Sequence, residues 1–400
     1  MNFGGSATWP RKPFEKYLSL NPCHDIMNAK NSSTRKKILH LTYHMGIGGT
    51  EQVIFQLVNH ADKSLFENSI VCLEGEIGPI GQQLQESGTS FHILNREPGF
   101  DINLIKSVRK IISSENIDVV HCHQYTPYVY GVLASLLTKS KVVFTEHGRF
   151  HPDRYSWKRR MINPVLGLAT SSITAISEAT KEALANFEWF NRSSITVIYN
   201  GIKATEPPTK YRNQNELGLT AQNIVFGTIT RFDTIKNLPM MINAFAQVYK
   251  DNSSARLLLV GDGDERPAME NLVSELSLDD AVIFTGFQTD TKKYMSLIDV
   301  YVLSSFSEGT SMTLLEAMSF STCCIVTAVG GNVEIIKDRQ NGYVVESDNT
   351  QQLADSMQSL AFDEAARHRL GAEAKKTFDQ QFDLEQMVQK YKELYLKITS

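Results

Sequence analysis

The sequence has few of the residues that mark disulfide-rich, cysteine-metal and membrane-spanning proteins. Five cysteines occur among 400 residues, and no two of them form a C-x-x-C pair, which argues against a disulfide framework and against a cysteine zinc site. No run approaches the roughly 18 apolar residues of a spanning helix, and the first residues lack the charged-then-apolar pattern of a signal peptide. We therefore expect a cytoplasmic protein, or one that is peripheral on the inner face of the cytoplasmic membrane.

An excess of positive charge is also absent. The chain has 40 Lys and Arg against 44 Asp and Glu, a net charge of -4, so it offers no general basic field and we expect no nucleic-acid partner. Its 42% hydrophobic and 21% charged residues are typical of globular proteins. Because 400 residues are too many for one ordinary core, we expect two domains.

Residues 1–36 contain Gly, Pro and Asn-Ser clusters without helical or strand periodicity. This pattern predicts a poorly ordered N-terminal tail. Met27 is an alternative start.

From Lys37 the chain alternates short apolar runs with amphipathic stretches, which predicts βαβ units and parallel sheets buried on both faces. The turn-rich stretch 200–208 divides two such series, so we predict an α/β protein with Rossmann-like domains at 37–203 and 204–380. An amphipathic helix at 381–400 should pack on one of them. The predicted strands are Ile38–Thr42, Ser69–Leu73, Phe91–Leu94, Val119–Cys122, Val142–Thr145, Ile173–Ile176, Thr196–Tyr199, Ile224–Thr230, Arg256–Val260, Val282–Phe284, Val300–Leu303, Ile325–Thr327 and Tyr343–Val345.

Two glycine-containing loops follow strands. Gly48 and Gly49 open a helix, where a backbone can approach an anion, but Glu51 stands where a dinucleotide fingerprint needs its third glycine. Three interpretations of this loop therefore stay open. We favour a loop that lines a cleft, then a tight structural turn, and least of all a dinucleotide site. Gly261 begins a second incomplete fingerprint, for which a plain turn is as good an interpretation as a ligand loop.

The stretch from Glu308 to Glu316 is the most informative in the chain. Gly309 permits an unusual turn, and a helix that begins near Met312 or Thr313 would turn free backbone N–H groups toward a phosphate. Glu308 and Glu316 could then accept hydrogen bonds from sugar hydroxyls. In the alternative interpretation, Glu316 only favours the helix dipole and Glu308 is a solvated loop charge.

His121 and His123 lie on one face of a strand end, as a metal-ligand pair would. Cleft-lining hydrogen bonding is the interpretation we favour, and we expect no metal site.

A basic and apolar segment follows His147. Its cations are either a solvated face or a contact with an anionic lipid surface. The cations are Arg154, Lys158, Arg159 and Arg160, and the apolar residues are Trp157, Met161, Ile162, Val165 and Leu166.

Together these motifs resemble a family. Glu308 and Glu316 match the E-x7-E motif of retaining glycosyltransferases with the GT-B fold, and residues 37–397 are similar to family 4 glycosyltransferases of the bacterial surface-polysaccharide type. The order and spacing of the matching pieces are highly specific. The other pieces are Gly-Gly-Thr-Glu at 48–51, Thr-Glu-His-Gly at 145–148, Ser177-Glu178, Asn-Gly-Ile at 200–202, residues 231–238, Val-Gly-Asp-Gly at 260–263, Thr-Gly-Phe at 285–287, Gly330-Gly331 and Glu334.

The resemblance implies a role for each matching residue. Arg231 and Lys236 would hold the donor diphosphate from an open cleft, Glu308 would contact the transferred sugar, and Glu316 the ribose. His147 would reach the sugar from an acceptor-binding N-terminal domain, while the C-terminal helix would cross back to that domain. The remaining donor contacts would come from loop or helix backbone at Gly48, Gly49, Gly261, Thr310, Ser311, Met312, Thr313 and Leu314.

The resemblance further implies metal-independent, retaining transfer from a nucleoside diphosphate sugar to a hydroxyl of a glycan or lipid-linked glycan, without a cofactor. Lipopolysaccharide, capsule or exopolysaccharide synthesis is the expected setting. A nucleotide-sugar epimerase of the same architecture, a nicotinamide-dependent oxidoreductase and a non-catalytic sugar-nucleotide-binding protein are the alternatives.

Overall fold

The computed structural model describes residues 35–148, 155–204 and 217–400. The predicted tail up to residue 34, Arg154 and residues 205–208 of the predicted turn lie outside these residues. Lys36, which the prediction placed in the tail, already belongs to the first strand.

The first series of strands forms one seven-stranded sheet in the order β3-β2-β1-β4-β5-β6-β7, and every pair in it is parallel. Its central strands read as apolar runs because helices cover both faces, which removes the alternation of a half-exposed sheet. The strands are β1 (Lys36–Thr42), β2 (Phe66–Cys72), β3 (Ser90–Ile93), β4 (Val119–His123), β5 (Lys141–Glu146), β6 (Ser172–Ala175) and β7 (Ile195–Val197).

The helices of this half begin and end where local chemistry dictates. In the helix that starts at Ile102, the Asp101 side chain accepts a hydrogen bond from the Leu104 amide at 2.9 Å, and the left-handed Asn116 ends the helix. Leu104 and Val108, one turn apart, face the sheet. The helices are α1 (Gly49–Asn59), α2 (Pro79–Glu86), α3 (Ile102–Glu115), α4 (Tyr125–Ser135), α5 (Trp157–Leu168) and α6 (Glu178–Glu188).

The second series forms a six-stranded parallel sheet in the order β10-β9-β8-β11-β12-β13. The strands are β8 (Ile224–Ile229), β9 (Ala255–Val260), β10 (Val282–Phe284), β11 (Val300–Leu303), β12 (Cys323–Thr327) and β13 (Tyr343–Val345). The helices are α7 (Leu238–Asp251), α8 (Arg266–Glu275), α9 (Thr291–Met295), α10 (Met312–Ser319), α11 (Asn332–Ile335), α12 (Thr350–Phe362), α13 (Glu364–Gln381) and α14 (Leu384–Thr399).

Each sheet therefore has the strand order of a doubly wound nucleotide-binding fold, with the order reversing between its first and fourth strands. This confirms the predicted fold class of two Rossmann-like halves. Ligands of such sheets bind in the crevice beyond the carboxyl ends of the strands, where the order reverses.

The last helix, α14, packs against the first sheet although it follows the second. Tyr395 contacts Phe66 edge-to-face, with ring centroids 5.7 Å apart, and Tyr391 and Met387 belong to the same buried cluster as Ile38. A short backbone pairing between Ile202 and the start of this helix brings the chain back.

Candidate active site

A part-buried ion pair lies beyond the carboxyl end of the second sheet. Lys236 Nζ donates to Glu308 Oε1 at 2.7 Å, and Ser305 Oγ donates to the same oxygen at 2.6 Å. Only 21% of the Lys236 side chain and 9% of the Glu308 side chain are exposed. A helical turn over Thr234–Lys236 presents the lysine, with Asp233 accepting from the Lys236 amide as its cap.

Arg231 behaves differently. Its side chain is 76% exposed, and its Nη2 and Nε lie 2.5 and 2.8 Å from Asp233 Oδ2. Arg231 is therefore exposed, whereas the expectation that Lys236 is openly exposed is wrong, because its side chain forms a part-buried pair with Glu308.

Helix α10 begins at Met312, as the sequence indicates, and Ser311 is its N-cap. Ser311 Oγ accepts from the Leu314 amide at 3.3 Å, and the Leu314 side chain is fully buried. The amide of Leu314 is thus already hydrogen-bonded within the helix cap, so the prediction that it is free to bind a phosphate is wrong. Met312 and Thr313 hold the first-turn amides, which a helix leaves without intrahelical partners.

Glu316 is one turn into α10 and half-buried. Removal of water from its carboxylate raises its pKa to about 7, and nearby Lys292 and a hydrogen bond from Thr291 offset part of that rise. A carboxyl group poised near neutrality differs from the fixed charge of a solvated helix residue.

Loops of the first half meet this helix. A Cβ on Gly49 would lie 3.8 Å from Met312 Cγ, so the loop with Gly48 and Gly49 reaches the start of α10. A Cβ on Gly309 would lie 3.0 Å from the His147 carbonyl oxygen, and Thr310 Oγ1 donates to the Ile176 carbonyl oxygen at 2.9 Å. The two halves therefore approach each other around residues 308–312.

The glycine at 261 has a packing explanation. Its φ is +137°, and a Cβ there would overlap the Thr230 carbonyl oxygen, while its amide donates to Gly286 at 3.0 Å. These contacts favour the plain-turn interpretation of Gly261.

Comparison with known families now decides the class. Residues 47–206 match the family described as Glycosyltransferase Family 4, and residues 210–377 match the family described as Glycosyl transferases group 1. The chain belongs to glycosyltransferase family 4.

Two bacterial proteins are among the relatives of this glycosyltransferase. It is 28% identical over 309 residues to the N-acetyl-alpha-D-glucosaminyl L-malate synthase of Bacillus anthracis, a match that covers 75% of this chain and 80% of the relative. It is 24% identical over 390 residues to the UDP-Gal:alpha-D-GlcNAc-diphosphoundecaprenol alpha-1,3-galactosyltransferase of Escherichia coli, covering 92% and 98% of the two chains. Its fold is similar to that of Anabaena HepE in complex with UDP, with a TM-score of 0.80, 20% identity and coverage of 91% and 100%.

The histidines of the glycosyltransferase lie deeper than expected. His121 and His123 are fully buried rather than lining the cleft, with ring centroids 4.1 Å apart. One ring nitrogen from each of His40, His121 and His123 lies within 4.8 Å of the other two, but all six ring nitrogens of these residues have hydrogen-bond partners. The ring nitrogens of His121 lie 2.7 Å from the Tyr395 and Thr145 hydroxyls. Those of His40 and His123 are hydrogen-bonded to each other, to Asn68 and to His147.

Glu334 is a residue whose structural role the sequence did not reveal. From helix α11 its carboxylate accepts hydrogen bonds from the first amides of α6, Glu178 at 2.8 Å and Ala179 at 2.7 Å. The Tyr199 hydroxyl donates to it at 2.9 Å. A carboxylate at a helix N-terminus is favourable, and here it joins the two halves. In the sequence, the only indication of this role was the position of a glutamate shortly after Gly330-Gly331.

Helix α5 carries an exposed apolar face. Trp157, Met161 and Val165 follow at spacings of four and are 74%, 68% and 64% exposed. Arg159 points the other way, because it pairs with Glu188 and lies 4.7 Å from the Tyr125 ring. Its cation is therefore already paired within the protein, whereas Lys158 and Arg160 are exposed.

Within the described ranges, no helix is both long enough and apolar enough to cross a membrane.

Proposed function

We propose that this enzyme moves a sugar from a nucleoside diphosphate donor to a hydroxyl of a glycan or lipid-linked glycan during bacterial surface-polysaccharide synthesis, with retention and without a metal. The observation that carries the proposal is the Lys236–Glu308 pair beside the N-terminus of α10. A cation, a carboxylate three residues before the N-cap of α10 and the first amides of that helix support a binding site for an anionic donor. The E. coli relative is named for a UDP-Gal donor and a diphosphoundecaprenol-linked acceptor.

The donor diphosphate would lie against the amides of Met312 and Thr313, where the helix end favours an anion. Lys236 and Arg231 would flank it, Arg231 by leaving its exposed pair with Asp233. Such a surface pair is worth little, so exchanging the Asp233 carboxylate for a phosphate costs little.

The two carboxylates would hold the rest of the donor. Both contacts of Glu308 fall on Oε1, and within the described part of the chain Oε2 has no hydrogen-bond partner, so it can accept from a hydroxyl of the transferred sugar. Glu316, one turn further along α10, would accept from the ribose.

Bond cleavage moves negative charge onto the departing diphosphate oxygen. Cations and amides fixed at that position stabilise the transition state more than the bound donor, which lowers the barrier. This arrangement supplies the stabilisation that a metal supplies elsewhere.

Alanine variants test the assignment. Because removal of one preorganised group typically costs about 3–4 kcal/mol of transition-state stabilisation, Lys236→Ala and Arg231→Ala should each lower kcat/KM about a hundred- to thousandfold with a UDP-sugar donor. Lys376→Ala, at an exposed lysine of α13, is the matched control and should change nothing. Folded Lys236→Ala and Arg231→Ala enzymes within a few-fold of the parent would show that the donor site is elsewhere.

Stereochemistry and metal independence have their own tests. Proton NMR of the first product should show the anomeric configuration of the donor, and an inverted linkage would refute retention. EDTA should leave the rate unchanged. Activity that is lost in EDTA and restored by Mg²⁺ or Mn²⁺ would refute metal independence.

The apolar face of α5 supports a second part of the proposal, attachment to an anionic membrane that holds the lipid-linked acceptor. Trp157, Met161 and Val165 would enter the interface while Lys158 and Arg160 meet the headgroups, each cation contributing about 1 kcal/mol. Flotation with anionic vesicles should weaken as salt rises and fail for Trp157→Ser/Val165→Ser. Equal flotation with neutral vesicles would rule out the charge contribution.

A further inference from the structure

Three histidine rings form a hydrogen-bonded chain from the interior of the first sheet to the candidate site. His40 Nε2 lies 3.2 Å from Asn68 Oδ1, and His40 Nδ1 lies 3.0 Å from His123 Nε2. His123 Nδ1 then lies 2.8 Å from Nε2 of His147. The family resemblance implies a sugar contact only for the last of these rings, His147.

Each ring in the chain is neutral near pH 7, because burial lowers the pKa of His40 to about 4 and that of His147 to about 3, and lowers the pKa of His123 well below its usual value. A neutral imidazole has one N–H and one lone pair. In such a chain every ring must donate in the same direction, so one end sets the tautomer of the other.

The end of the chain at Asn68 presents an amide oxygen, which only accepts. His40 must then carry its proton on Nε2 and accept at Nδ1, and His123 must do the same. His147 in turn carries its proton on Nε2 and has a lone pair on Nδ1.

We propose that Asn68, His40 and His123 are positioning residues that fix this tautomer of His147, so that its Nδ1 accepts a hydrogen bond from one hydroxyl of the transferred sugar. The sugar contact rests on the proposed function, whereas the tautomer does not.

Two observations at His147 support the sugar contact. Within the part of the chain that the structure describes, its Nδ1 is buried without a hydrogen-bond partner, a cost that a donating hydroxyl would remove. Beside it, Gly148 has open space where a side chain would begin, and the His147 carbonyl abuts Gly309, next to Glu308.

Histidine-labelled enzyme without substrate tests the tautomer, because nitrogen-15 NMR distinguishes protonated from unprotonated ring nitrogens. We expect His147 with a proton on Nε2 in the parent and in Asn68→Asp, which keeps an acceptor, and a mixture of tautomers in Asn68→Leu. His121→Asn is the matched control. It removes a buried ring outside the chain, and it should leave the His147 signals in place even if stability falls.

Kinetics with monodeoxy donors test the contact. Asn68→Leu should lower kcat/KM about five-fold, as expected for the loss of one hydrogen bond, and Asn68→Asp should stay within two-fold. For one deoxy donor, Asn68→Leu should not change kcat/KM, because that donor lacks the hydroxyl that donates to His147.

Two results would refute the proposal that Asn68, His40 and His123 fix the tautomer of His147. One is a His147 ring protonated on Nδ1 in the parent, and the other is unchanged His147 signals in Asn68→Leu. An Asn68→Leu effect of equal size with every deoxy donor would overturn the sugar contact. Absence of any transfer by the parent would instead contradict the proposed function, while the NMR result on the chain would still stand.

Discussion

Acid should destabilise the first domain through its buried histidines. His40 is fully buried, and burial lowers its pKa from 6.5 to about 4. Well above pH 6.5 neither the folded nor the unfolded ring binds a proton. Below pH 6.5 the ring binds a proton in the unfolded chain but not in the folded chain. The free energy of unfolding therefore decreases as the pH is lowered, until the folded ring titrates near pH 4.

The size of the effect follows from the shift. Each such ring lowers the free energy of unfolding by about 1.4 kcal/mol per pH unit below 6.5, so His40 alone removes about 3 kcal/mol by pH 4. His147, whose pKa is lowered to about 3, doubles the slope, and the lowered pKa values of His121 and His123 act in the same direction. Against a typical total of 5–15 kcal/mol, this change is large.

Glu316 has the opposite sign, because a folded pKa raised to about 7 makes the protein gain stability as pH falls through 7. The measurement therefore uses the Glu316→Gln variant, in urea unfolding at pH 5–8 followed by tryptophan fluorescence, to which Trp157 and Trp189 of the first domain contribute. We expect the unfolding free energy to fall by at least about 2.5 kcal/mol per unit near pH 5.5. His368→Gln, at an exposed histidine, should not change that slope. A flat profile between pH 6.5 and 5 would refute the reasoning.

Three further predictions concern single side chains. With a pKa of about 7, Glu316 should make the donor KM fall as pH rises through 7, and Glu316→Gln should abolish that dependence; a profile that persists in the variant would assign it to another group. Lys236→Ala should lower the free energy of unfolding by about 1–3 kcal/mol because it leaves Glu308 part-buried without its cation, and Glu308→Gln in the same chain should restore most of it in urea titrations. Glu334→Ala should loosen the join between the halves, raising the donor KM several-fold and enlarging the radius of gyration in solution scattering, whereas identical scattering would show that the join is not needed.

Much of the fold was predictable because its signals are local. All thirteen described strands were predicted to within a few residues, since a short apolar run between turn residues indicates a buried strand without any knowledge of distant contacts. Helix α13 was not predicted, because its buried face includes Gly371 and Ala374, which make a weak apolar stripe. Helix α10 was predicted together with its start near Met312 or Thr313, and the structure adds Ser311 as its cap.

The site was predictable only in part. The sequence by itself determined which residues we propose for it, because Glu308, Glu316 and Lys236 stand in a recognisable order. Only the tertiary structure decided their partners. It joined Lys236 to Glu308, 72 positions away, Glu334 to the start of α6, and Asn68 to His147 through two intervening rings. Those contacts follow from which strands lie side by side and where their loops meet, and no local pattern of residues encodes that.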